Sequence, residues 1–169
     1  MSISTSAFRL SLAFLGFVGQ TVVANDDSLR ASIEYKQGGL EFRIRLVSRN
    51  AIMEDAMSVP KPETRYKRGD IVVPIITFRT EHKDESGNPD LTYDMKVLKP
   101  DSSLYGEFTQ LIMTRGRPLP ANRYGFAKDP PQISLEEDSF LGVYSVQIIV
   151  FDNVQQTKVD CELSFQVVE

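Results

Sequence analysis

Residues 158–167 alternate without a break. Val159, Cys161, Leu163, Phe165 and Val167 are apolar or weakly polar, and Lys158, Asp160, Glu162, Ser164 and Gln166 stand between them. Successive side chains of a β-strand point to opposite faces, so this period of two describes a strand with one buried and one solvated face. A helix of that composition would scatter its apolar residues around the axis. The alternation also places Cys161 on the buried face.

The same period recurs along the chain. Ala31, Ile33 and Tyr35 alternate with Ser32, Glu34 and Lys36, and Leu40, Phe42, Ile44 and Leu46 alternate with Glu41, Arg43 and Arg45. Gln37-Gly38-Gly39 between the two runs predicts a hairpin over 31–47. IVVPIITFRT (71–80) is strongly β-prone, and Pro74 inside it cannot donate to a ladder, which implies an edge or a bulge. Leu91, Tyr93, Met95 and Val97 form another alternating run, closed by the turn residues Lys99-Pro100-Asp101-Ser102-Ser103. Residues 104–114 are β-prone but less regular. Ile133 and Leu135 suggest a short strand, and GVYSVQIIVFD (142–152) is the most apolar strand of all. Helix signals are nearly absent: Asn50 before AIMEDAM could cap two short turns.

These runs predict an all-β, antiparallel, two-sheet sandwich of about seven to nine strands. The loop from Arg115 to Pro131 holds four of the nine prolines. Loops of that length in compact domains are often functional.

The first residues point to a compartment. Residues 1–9 are short and polar, with Arg9 their only charge. LSLAFLGFV (10–18) is apolar, and Val22-Val23-Ala24 sets small residues before a cleavage position. That tripartite order predicts a signal peptide over 1–24, leaving a single exported domain over 25–169. The apolar run falls short of the ~20 residues that cross a bilayer. No cysteine lies near the cleavage position, which argues against a lipid anchor there. The expected location is extracytoplasmic, secreted or periplasmic.

Without Arg9 the chain carries 18 basic and 23 acidic residues, a net charge of −5. An acidic surface with no basic run argues against nucleic acid and anionic membranes. No later segment is apolar enough to span a membrane, and no cofactor is expected. The single cysteine cannot form a disulfide within the chain; the alternation favours a buried free thiol over a reactive one.

A family resemblance rests on three stretches. Arg68-Gly69-Asp70-Ile71-Val72-Val73, then Leu91-Thr92-Tyr93 leading to Val97-Leu98-Lys99-Pro100-Asp101, then Gly142-Val143-Tyr144-Ser145-Val146 together resemble an immunoglobulin-like sandwich. They are similar to the fibronectin-type and macroglobulin-type modules of exported bacterial proteins. There a "GD" opens a strand, a "PDG"-like turn links two central strands and "GxYxV" starts the penultimate strand. Ser102 replaces the glycine of that turn, and the cysteine pair and core tryptophan of antibody-type domains are missing. The resemblance covers a core over 66–168 and leaves the hairpin 31–47 as an addition. It implies that Tyr144 closes a tyrosine corner.

Chemistry-bearing groups are sparse. His82, the one histidine, sits in the charged stretch TEHKDES and is expected to be solvated. One histidine and one cysteine make no zinc cluster. Glu136, Glu137 and Asp138 could serve a hydrolase that works between two carboxyls, but three adjacent acids in a polar loop are expected to be solvated charge. Asp84, Ser86, Asn88 and Asp90 place oxygens at alternate positions in the 84–90 loop, as calcium loops do. Pro89 and Met95 depart from that pattern, and turn chemistry explains the same residues. Arg68-Gly69-Asp70 spells an integrin-type tripeptide, but it runs directly into a strand. Tyr124 and Phe126 lie in the proline-rich loop, where they could anchor a partner or fold back as a lid. The expected function is therefore a non-catalytic protein-binding or assembly domain, with another extracytoplasmic protein as partner. The alternative is a calcium- or carbohydrate-binding accessory module using the 84–90 loop, with a hydrolase third.

Overall fold

The computed structural model describes residues 29–54, 60–119 and 123–169, which form two β-sheets packed face to face. The signal peptide expected over 1–24 lies outside the described residues.

Among the described residues ten strands follow one another: β1 (Ser32–Gln37), β2 (Leu40–Ser48), β3 (Arg65–Lys67), β4 (Ile71–Thr80), β5 (Asp90–Leu98), β6 (Leu104–Arg115), β7 (Gly125–Phe126), β8 (Ile133–Ser134), β9 (Gly142–Asp152) and β10 (Thr157–Val168). The first sheet runs β1-β2-β4, with the stubs β7 and β8 both on the far edge of β4. The second runs β3-β10-β9-β5-β6. The count exceeds the expected seven to nine because β3 and β7 are pairings of three and two residues, too short to print an alternation; the short strand expected at Ile133 and Leu135 appears as β8. β3 also departs from the all-antiparallel expectation by pairing parallel with β10, Gln166 against Arg65.

One short helix, α1 (Arg49–Glu54), follows β2. Its cap is Ser48 rather than the expected Asn50. The Ser48 hydroxyl accepts the Asn50 amide at 3.2 Å, satisfying a donor the first turn leaves unpaired. Among the described residues no helix is long and apolar enough to cross a membrane.

The alternating residues meet between the sheets. Ladders such as Cys161–Ile148–Met95 and Leu163–Val146–Val97 run across β10, β9 and β5. They face Phe42–Phe78 and Ile44–Ile76 from β2 and β4. Burying a residue of this size contributes roughly 1.5–3 kcal/mol, so these ladders hold the layers together. Pro74 sits where β4 needs no donor. Ile76 turns its carbonyl to the β7 side, where it accepts Ala127 N–H at 3.0 Å. Two residues earlier Pro74 faces that same side, between the β7 and β8 pairings, so its missing N–H leaves no ladder bond unmade.

Candidate functional site

The outward residues of the first sheet form three rows. Lys36, Glu41 and Arg79 make one; Glu34, Arg43, Thr77 and Phe126 the next; Ser32, Arg45 and Ile75 the third. Glu34 grips Arg43 with both carboxylate oxygens, accepting from Nη2 at 2.8 Å and Nε at 3.2 Å. That pairing raises the pKa of the Arg43 guanidinium. Lys36 Nζ lies 3.7 Å from Glu41, and the Tyr124 hydroxyl donates to the same carboxylate. The Tyr124 bond is the main cause that lowers the Glu41 pKa, and it raises that of Tyr124.

Gly125 explains how the two aromatics of the proline-rich loop come to this face. A Cβ at position 125 would stand 2.7 Å from the Phe78 ring and 3.1 Å from Leu119. Only glycine lets β7 lie so close over the core, and the period of two then turns Tyr124 and Phe126 outward. They are 45% and 56% exposed. With Ile75, Thr77, Arg43 and Arg45 they line a shallow cleft of ≈ 240 Å³. A second, larger groove of ≈ 800 Å³ lies on the other side of Phe126, against Leu111, Met113 and Leu119. It adjoins β6, the edge of the second sheet. Three register shifts interrupt the β5–β6 pairing, and Gln110 takes a φ of 56° with its amide tied to Asp94 at 2.7 Å. Bulges of this kind blunt a strand edge against further pairing.

His82 is not the solvated histidine expected from its charged surroundings. Its Nδ1 is hydrogen-bonded to Oδ2 of Asp152, whose side chain is 1% exposed. The other carboxylate oxygen accepts the amides of Val154 and Gln155, each at 3.0 Å. The His82 amide in turn donates to Thr80 Oγ1 at 3.0 Å. His82 follows β4 and Asp152 ends β9, so the pair ties the first sheet to the second. Sequence reasoning missed it because the partners lie 70 residues apart and only the topology joins them. The pair thus acts as a brace between the two sheets.

The 84–90 loop folds on its own oxygens. Asp84 Oδ1 accepts the amides of Ser86 at 2.9 Å and Asn88 at 2.8 Å. Asp90 is held by Arg115 Nε at 3.1 Å and Asn153 Nδ2 at 3.0 Å. Among the described residues no three His, Cys, Asp or Glu side chains converge as a metal site would require. Glu136, Glu137 and Asp138 are all exposed. The turn at Arg68-Gly69-Asp70 is pinned down: Asp70 accepts the Lys67 amide at 2.7 Å, and Arg68 Nε donates to the Ser139 carbonyl at 2.9 Å.

Tyr144 is fully buried, stacked on Phe165 at 5.2 Å and edge-on to Tyr105 at 5.5 Å. Its hydroxyl faces Ser139 and the Phe140 backbone but makes no well-formed hydrogen bond with either. Cys161 is a free thiol, 6% exposed, and burial pushes its pKa up to about 12.

No family model matches the chain, and no curated protein matches it. Among solved structures it is similar to the C-terminal domain of wzt, at 12% identity and a TM-score of 0.42, over 82% of this chain and 78% of that one. It is also similar to a family 123 glycoside hydrolase from Clostridium perfringens, at 12% identity and a TM-score of 0.43, over 78% of this chain and 27% of that one. Likenesses this distant transfer no activity.

Proposed function

We propose that the chain is an exported, non-catalytic binding domain of immunoglobulin-like type, which engages a protein partner through the outer face of its first sheet beside β7. Export rests on the tripartite stretch over 1–24. The immunoglobulin-like reading draws support from the order β10-β9-β5, which parallels the G-F-C sheet of such domains, and from β2 beside β4 in the opposite layer.

The observation that carries the binding assignment is the pair of outward rings, Tyr124 and Phe126, set beside two arginines on a rigid sheet. Tyrosine, phenylalanine and arginine are enriched at protein interfaces, and tyrosine and arginine anchors among those whose loss costs most affinity. The face requires no nucleophile, base or metal. Affinity capture from the source envelope or medium, with wild type beside Tyr124→Ala/Phe126→Ala, tests the reading. A specific partner should be captured by wild type and lost with the double variant. Retention of every captured protein would refute the surface.

A further inference from the structure

Arg43 and Arg45 project from the same side of β2, two residues apart, but their surroundings differ. Arg43 is closed by Glu34. Arg45 has no hydrogen bond or ion pair among the described residues, and its neighbours across the sheet are Ser32 on β1 and Ile75 on β4. It lines both the Tyr124–Phe126 cleft and a second depression on the β1 side with Ser32, Pro62, Thr64 and Glu34, the acid that Arg43 already holds. A guanidinium carries five donors in a planar fork matched to a carboxylate, so a part-buried one without a partner is an incomplete pair.

We infer that Arg45 receives a carboxylate side chain from an acidic segment of the protein partner, with an adjacent apolar side chain of that segment resting on Tyr124 and Phe126. This rests on the proposed reading of the face as a protein-binding surface. Charge complementarity supports it. The rows carry Lys36, Arg43, Arg45 and Arg79 against Glu34 and Glu41, a positive face on a chain of net charge −4. Both acids on the face are already engaged, Glu34 by Arg43 and Glu41 by Tyr124 and Lys36. Burial and then the neighbouring Arg43 work against the charged form of Arg45, and Glu34 offsets them only in part, so an incoming carboxylate adds the direct partner that Glu34 gives to Arg43. Ile75 and the two rings suit the apolar half of a mixed segment. The chain has no tryptophan, the side chain that gives the broadest platform for a sugar ring.

The test is an NMR titration of the 15N-labelled exported protein with two capped peptides, acetyl-Glu-Phe-Glu-amide and acetyl-Gln-Phe-Gln-amide. The acidic peptide should move the Arg45 Nε–Hε signal together with the Tyr124 and Phe126 amides, saturably and at millimolar concentration. The amide peptide should bind at least about tenfold more weakly. Arg45→Gln should erase that preference while melting like wild type, since the side chain stands outside the core. Equal binding of the two peptides to wild type, with only the aromatic signals moving, would overturn the carboxylate assignment yet leave the protein-binding surface standing. No saturable shift anywhere on the face would overturn the inference, as would glucuronate binding as tightly as the acidic peptide.

Discussion

His82 holds the buried carboxylate of Asp152 across the gap between the two sheets. Removing one partner of a buried polar pair leaves the other unsatisfied, which costs about 1–3 kcal/mol. His82→Ala should therefore lower unfolding free energy by that amount in urea titrations. Asp152→Ala should cost more, because it also strands the Val154 and Gln155 amides. A neutral His82→Ala would show that the pair does not brace the fold.

Gly125 and Phe78 set the second prediction. A Cβ placed 2.7 Å from the Phe78 ring must displace it or lift β7. Overpacking of this kind costs about 1–3 kcal/mol. Gly125→Ala should lower the melting temperature and also weaken partner capture, because Tyr124 and Phe126 ride on the same backbone. Unchanged melting would mean that β7 is free to lift away from the core.

The Cys161 thiol gives a pH-dependent prediction. Its folded-state pKa lies near 12, against an ordinary value of 9.0, with burial the main cause. Below pH 9 the thiol is neutral in both states and leaves stability unchanged. Above pH 9 the unfolded thiol ionises while the folded one does not, so stability falls as the pH rises towards 12. Labelling by a thiol reagent at pH 8 should be slow in the folded protein and fast in urea. Fast labelling of folded protein would place the thiol at the surface.

Calcium should leave the melting temperature unchanged. Asp84 is engaged by local amides and Asp90 by Arg115 and Asn153, so an ion would have to displace these bonds. A rise of several degrees with millimolar calcium would show binding to the folded state and reopen the 84–90 loop as a site.

Much of the sandwich was legible because alternation is a local signal. The hairpin over 31–47 appears as β1 and β2 joined through Gly38 and Gly39, both at positive φ. The runs at 91–97, 142–152 and 158–167 appear as β5, β9 and β10. What was not legible depends on distance or brevity. β3 and β7 carry too few residues to print a period. The α1 cap moved to Ser48 because geometry, not residue preference alone, selects which side chain reaches the first-turn amides. The rings of Tyr124 and Phe126 could be read as lid or anchor, since their direction depends on Gly125 meeting Phe78, 47 positions earlier. The isolation of Arg45 is likewise a property of register: a carboxylate at position 32 or 75 would have closed it.

The most direct test of the proposed binding face is photo-crosslinking from inside it. A photoreactive amino acid would replace Phe126 on the first sheet or, in a separate variant, the exposed Val143 on the second. Each protein would be irradiated in the source envelope or medium. One dominant crosslinked protein is expected from position 126, absent when Tyr124→Ala is added, and none from position 143. Crosslinks from position 143 with none from 126 would contradict the proposed face, placing the partner on the opposite sheet.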